Sequence, residues 1–427
     1  LRQSAEAFRV AKLFHFWEEL FFFGHTDDAR RVMTSSTAGL GFESLLIHAA
    51  EAPDPITGAV APNLVRSKTF AQKEFGGTHA PFEYSRGKSP TRSQLEEKLA
   101  ILEGDPNSQA TVFGSGVAAE AALFLTLSPG DHVLCCQEVY GGTFRLLNNV
   151  LSRFGLTHDF VNFGDRETIC RSITPRTKFL FAETPTNPSL HIIDLALLGS
   201  ISRETGIPLV VDSTFSPPCA TRPFEYGATT IVHSLSKYIA GHNDILGGAV
   251  ITKDAALHEK MTFHQRALGA VLSPDECYRI LQEVKTLSLR WQRVSESAQV
   301  VAEFLAKSPK VSRVLYPGLK THPNHEIAAR QTRNGFGGIL SFEVKAHSHA
   351  ELTKFVDALR ANGPIIYGES LASPETIIAY PPIMSHGSLP RDVRESLGIS
   401  DGFFRLSLGF ENPEDITRAF GEALATV

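Results

Sequence analysis

The 427-residue sequence is 42% hydrophobic and 20% charged, the balance of a soluble globular protein with room for two or three domains. A formal net charge of −5 and a pI of about 6.4 provide no global basic field, so nucleic acid is not an expected partner. The five cysteines (Cys135, Cys136, Cys170, Cys219 and Cys277) show neither C-x-x-C nor C…H spacing, so no metal is expected, and reduced thiols in a cytoplasmic protein are.

The first apolar stretch, "LFHFWEELFFF" (Leu13–Phe23), is broken by Glu18 and Glu19. It falls short of the ~20 apolar residues a membrane span needs, and its acidic pair spoils a signal-peptide core. It reads as a helix packed on another surface, with an organelle-targeting remnant as the alternative. No membrane partner is expected. From about Ser108 short apolar runs alternate with helical patterns. "QATVFGSG" predicts a strand and turn, and "VAAEAALFLTL" a helix. "DHVLCC" predicts a strand and "TFRLLNNVLSRFG" one amphipathic helix. "KFLFAETPTNP", "IPLVVDSTF" and "TTIVHSLSK" are further strands, with the helix "DLALLGSISRETG" between the first two, and "GGAVIT" follows. This alternation predicts an α/β fold with a mostly parallel sheet covered on both faces. Two long helical patterns from about Pro274 to Lys307 then lead to "FGGILSFEV", "HAELTKFVDALRA" and "FFRLSLGFENPEDITRAFGEALA", a smaller α+β unit.

In such sheets ligands bind beyond the carboxyl ends of the strands, and the polar oddities of this chain fall there. Asp212 ends an apolar strand in "VVDSTF", and Lys237 follows another in "HSLSK". Burial lowers a lysine's pKa and frees an amine able to form a Schiff base with a carbonyl substrate or with pyridoxal phosphate. A buried aspartate favours the second, because that cofactor's ring nitrogen needs an anionic partner. A plain Asp–Lys salt bridge is the competing reading. "GSGVAAEAALFL" opens a helix after a glycine turn, so the N–H groups of Gly116 and Val117 could hold a phosphate. Ser234 and Ser236 offer hydroxyls, and Tyr140 in "EVYGGTF" offers an aromatic face.

Together with "FEYSRGKSPTR", "AETPTNP", "HSLSKYIAGHNDILGG", "LYPGLKTHPNHEIAARQ" and "RLSLGFENPEDI", these motifs resemble the cysteine/methionine-metabolism group of pyridoxal-phosphate enzymes, of aspartate-aminotransferase-like fold (fold type I). The resemblance runs from about residue 42 to the C-terminus. It implies an extension (1–41) of unknown role, an arm contacting a neighbouring subunit (42–72), a cofactor domain (73–275) and a C-terminal domain (276–427). It also implies that Lys237 carries the cofactor covalently and that Asp212, with Thr214 beside it, serves the ring nitrogen. Tyr140 stacks on the ring and counts with Lys237 as catalytic, while Gly116, Val117, Ser234 and Ser236 hold the phosphate. Tyr84 and Arg86 reach a neighbouring subunit's phosphate, so a homotetramer built as a dimer of active dimers is expected. Asn187 reaches the cofactor's phenolic oxygen, and Arg405, assisted by Ser370, binds the substrate α-carboxylate. Glu83, Arg145 and Glu369 match charged positions around the distal substrate pocket. The resemblance implies an amino-acid substrate and γ-elimination of cystathionine, with γ-replacement on an O-acylated homoserine as the alternative and an idle scaffold as the reading from another class.

Some positions depart from the group's pattern. Ser213 replaces the usual asparagine after the ring aspartate, and Ser89 opens "SPT" where "NPT" is common. Ala372 and Ser373 replace two glycines after "ESL".

Overall fold

The computed structural model describes residues 39–72, 75, 81–346, 348–385, 387 and 391–427; the Leu13–Phe23 segment lies outside them. A seven-stranded sheet comprises β1 (Gln109–Phe113), β2 (His132–Cys136), β3 (Thr157–Val161), β4 (Thr177–Glu183), β5 (Leu209–Asp212), β6 (Thr230–Ser234) and β7 (Gly248–Thr252). Their order is β1-β7-β6-β5-β4-β2-β3. The pairs β3/β2, β2/β4, β4/β5 and β5/β6 are parallel, and only β7 runs against its neighbours. The expected mostly parallel sheet is therefore present. Strands β2 and β5 are buried along their whole length, which explains their unbroken apolar sequence: helices cover both faces, so no alternation survives. Strand β3, "THDFV", escaped the sequence reading. It is an edge strand with exposed Thr157 and Asp159, so it lacks an apolar run.

The expected single helix over "TFRLLNNVLSRFG" is instead a short α-helix (Gly141–Arg145), a π-turn (Leu146–Val150) and a 3₁₀ turn (Leu151–Phe154). The Asn148 side chain donates to the Phe144 carbonyl at 3.1 Å, competing with the backbone for an i−4 acceptor and opening the ladder.

A second sheet, β10-β11-β12-β9-β8, is formed by β8 (Val311–Leu315), β9 (Ile339–Val344), β10 (Ile365–Tyr367), β11 (Thr376–Ala379) and β12 (Phe403–Ser407). Its core is aromatic: Phe342 stacks on Phe404 with centroids 5.7 Å apart and meets Phe420 edge-on at 5.5 Å. The helix Leu287–Lys307 joins the two units. Residues up to Val294 pack into the first core, and Ala298, Val301, Ala302 and Leu305 into the second. The carboxyl ends of β4, β5 and β6 thus open toward the second sheet, and Ser341 of β9 donates to the Pro188 carbonyl beyond β4 at 2.6 Å.

Candidate active site

Strand β5 delivers Asp212, buried at its carboxyl end. One carboxylate oxygen accepts from the Thr214 backbone N–H at 2.9 Å and from its hydroxyl at 2.6 Å. Burial pushes this carboxyl upward, and the Thr214 bonds pull it back. The Thr214 hydroxyl oxygen also accepts from the Ser234 N–H at 2.8 Å, so one side chain registers the ends of β5 and β6. Asp212 and Lys237 do not form the salt bridge that the sequence left open. The Lys237 ammonium instead reaches Ser370 Oγ at 3.4 Å.

Lys237 sits in the turn after β6, its N–H bonded to the Ser234 carbonyl at 3.2 Å. Burial first, and then the nearby positive charge of Arg405, push its pKa down to about 8, while Glu369 pulls the other way. Ser236 is engaged with Gly247, accepting from its N–H at 2.9 Å.

The helix Gly116–Phe124 begins between these strand ends. Its N-cap Ser115 accepts from the Ala118 N–H at 3.1 Å, and its first N–H groups, on Gly116 and Val117, have no intrahelical acceptor. A Cβ at Gly116 would lie 3.0 Å from Ser234 Cβ, and one at Gly248 only 2.2 Å from the Ser115 carbonyl oxygen. Only glycine lets this turn close on the end of β6 and the start of β7.

Tyr140, after β2, is 43% exposed. Its backbone N–H donates to one oxygen of Glu183 at 2.6 Å, and the Asn187 N–H donates to the other at 3.1 Å. Glu183, the buried last residue of β4, thereby sets two predicted site residues, a role the sequence reading missed. Its place at the end of an apolar strand was the available signal. A Cβ at Gly142 would fall 2.4 Å from Tyr140 Cε1 and 3.0 Å from Val117 Cγ2, so a side chain there requires the ring to move.

Arg405, buried on β12, donates through Nη1 to Asn187 Oδ1 at 2.9 Å and through Nη2 to the Ser370 carbonyl at 3.0 Å. Its Nε is buried without a hydrogen-bond partner. Burial lowers its pKa to about 10, and Glu369 opposes the shift. Glu369 itself is exposed. The loop beside it is unusual: Ser370 has φ 91° and Ala372 φ 64°, and the Ala372 N–H is tied to Ser407 Oγ at 2.8 Å. Ala372 therefore occupies the left-handed region that glycine adopts without strain.

Arg145 is exposed on the helix that follows Tyr140. The exposed Glu83, Tyr84 and Arg86 do not join this cluster. They line a cleft of about 1020 Å³ with His258 and Arg266, and Arg86 donates to the Arg266 carbonyl at 2.8 Å. Buried Arg92 donates to the carbonyls of Ser85 and Gly87, at 2.6 and 2.8 Å, on either side of Arg86. It closes the motif "FEYSRGKSPTR", and the sequence reading gave it no role.

The assembled groups fit pyridoxal phosphate. A carboxylate buried at a strand end is bonded through one oxygen to Thr214, a glycine turn would be filled by any Cβ, and an amine has its basicity lowered by burial. Residues 43–425 match the family of Cys/Met metabolism PLP-dependent enzymes. The chain is 42% identical over 384 residues to a cystathionine beta-lyase of Coxiella burnetii, covering 90% of this chain and 97% of that protein. It is 39% identical to a cystathionine gamma-lyase of Bacillus subtilis (90% and 99% covered) and 42% identical to a cystathionine gamma-synthase of Mycobacterium bovis (88% and 95%). Among solved structures, a Lactobacillus plantarum cystathionine gamma-lyase complexed with L-serine superposes with a TM-score of 0.85 at 37% identity, covering 91% of this chain and 99% of that one. A fold-type-I α/β architecture, these strand-end groups and the sequence matches agree: the chain belongs to the Cys/Met metabolism PLP-dependent enzymes, and pyridoxal phosphate is its cofactor.

Proposed function

We propose that this enzyme cleaves the Cγ–S bond of L-cystathionine, consuming one water and giving L-cysteine, 2-oxobutanoate and ammonia. When bound, pyridoxal phosphate supplies an electron sink for charge developing beside the α-carbon. The chain's residues do the rest. Asp212, oriented by Thr214, would serve the ring nitrogen, Tyr140 the ring face and Asn187 the phenolic oxygen. Gly116, Val117, Ser234 and Ser236 would hold the phosphate, with Tyr84 and Arg86 donated by a neighbouring chain of a homotetramer. Lys237 Nζ, as a neutral amine, takes the α-proton. Arg405 engages the α-carboxylate through its fork, with Ser370 assisting.

The observation that carries the choice of substrate is Glu369, a solvent-facing carboxylate whose charge reaches both Lys237 and Arg405. It suits a substrate with a second ammonium beyond the reacting end, with Arg145 of this chain and the Glu83 position of a neighbouring chain completing the distal recognition. Gly142 stands where a methionine-cleaving relative would call for a cysteine, so that activity ranks low. The relatives named gamma-synthase favour a second reading, γ-replacement on an O-acylated homoserine. An idle scaffold is disfavoured because both Lys237 and Asp212 are present. The five free cysteines suit a cytoplasmic enzyme, and among the described residues no helix is long and apolar enough to cross a membrane.

Glu369→Gln tests the distal role. KM for cystathionine should rise about tenfold, as loss of one charge-assisted contact implies, while KM for L-homoserine, which lacks the distal arm, stays put. An equal rise for both would contradict it.

A further inference from the structure

Glu120 is a buried carboxyl that the mechanism above does not use. It lies four residues into the helix Gly116–Phe124, 3% exposed. The hydroxyl of fully buried Thr143 is 2.9 Å from each of its oxygens. Thr143 belongs to the helix Gly141–Arg145, for which Tyr140 is the N-cap. The pair therefore links the helix that opens at the phosphate cradle to the helix that carries the ring-covering tyrosine. The same two segments also meet at Val117 and Gly142, around the Tyr140 ring.

We propose that the Glu120–Thr143 contact is a brace that fixes the Tyr140 ring relative to the phosphate cradle, which makes Glu120 a positioning residue for the cofactor. The inference rests on the reading of Tyr140 as the ring platform. The Thr143 hydroxyl donates to the carboxyl, its oxygen equidistant from the two carboxyl oxygens at 2.9 Å. Burial, and then the charge of Asp212, both push this carboxyl well above its ordinary range, in keeping with a neutral acid. Glu120 thus braces the site as a neutral group.

The test uses the full-length enzyme, stripped of cofactor and titrated with pyridoxal phosphate, reading both Kd and the induced circular dichroism of the bound chromophore. Glu120→Gln keeps a neutral head with a donor and an acceptor, and should match wild type in both readouts. Thr143→Val keeps the packing volume, breaks the contact from the other side, and stands in if Glu120→Leu fails to fold. Each of these two should weaken binding about 3- to 10-fold, the range for one buried hydrogen bond, and alter the induced dichroism. The double variant should be no worse than either single change, because both remove the same contact.

Unchanged dichroism and Kd in Thr143→Val and Glu120→Leu, with only thermal stability lowered, would overturn the brace. Additive losses in the double variant would overturn it too, as would a Glu120→Gln as impaired as Glu120→Leu. Tyr140→Ala separates the two levels. If it alters the dichroism while the brace variants do not, the brace alone fails. If it leaves the dichroism unchanged, the platform reading fails and the inference with it.

Discussion

Lys237 and Arg405 come from different sheets and converge on one residue. Lys237 Nζ is 3.4 Å from Ser370 Oγ, and Arg405 Nη2 donates to the Ser370 carbonyl at 3.0 Å. Two positive groups thus share one loop, and the Arg405 charge disfavours protonation of Lys237.

The consequence is a pH dependence. With its pKa pushed down to about 8, half of Lys237 is a free amine near that pH rather than near the usual lysine value, and the free fraction grows as pH rises. The rate of cofactor capture by the cofactor-free enzyme, followed by visible absorbance, should climb with a midpoint near pH 8. Glu369 stabilises the ammonium, so Glu369→Gln should move the midpoint lower. A midpoint near that of ordinary lysine would refute the burial argument.

The loop that joins these residues carries Ala372 at φ 64°. An L-residue in this region costs about 1–2 kcal/mol, part of which glycine returns through its greater freedom in the unfolded chain. Ala372→Gly should therefore stabilise the protein by about 0.5–1 kcal/mol, seen as a small rise in denaturation midpoint. Ala372→Val, β-branched at a buried left-handed position, should destabilise by more than that. The reverse order would show that the loop is not strained.

Tyr84 and Arg86 line a cleft apart from Lys237, which suits donation to a neighbouring subunit. Arg86→Ala and Lys237→Ala chains, each impaired alone, should regain activity when mixed and reassembled. For random exchange in a twofold dimer roughly a quarter of native activity is expected, since half the dimers hold one intact site. No recovery despite proven exchange would count against a shared site.

Much of this site was legible because parallel strands buried on both faces read as apolar runs, so Asp212, Ser234 and the following Lys237 stand out where the runs stop. What stayed hidden has physical reasons. β3 is a half-exposed edge strand with no apolar run. Glu120 sits in an alanine-rich helical stretch where a lone glutamate reads as solvated, yet tertiary packing buries it against Thr143. The strain at Ala372 depends on a backbone angle that no side-chain pattern encodes, although the replacement of a glycine there was visible. Arg92 holds the backbone on either side of Arg86, a contact made only once the chain has folded back on itself.

Which bond breaks is read most directly by identifying the products formed from L-cystathionine by the purified, cofactor-loaded enzyme. Cysteine, 2-oxobutanoate and ammonia are expected in equal amounts, with Lys237→Ala abolishing all three. Pyruvate and homocysteine as the main products would mean cleavage on the other side of sulfur and contradict the proposed Cγ–S cleavage. Rapid cystathionine formation from an O-acylated homoserine and cysteine, with negligible breakdown, would contradict it in favour of γ-replacement.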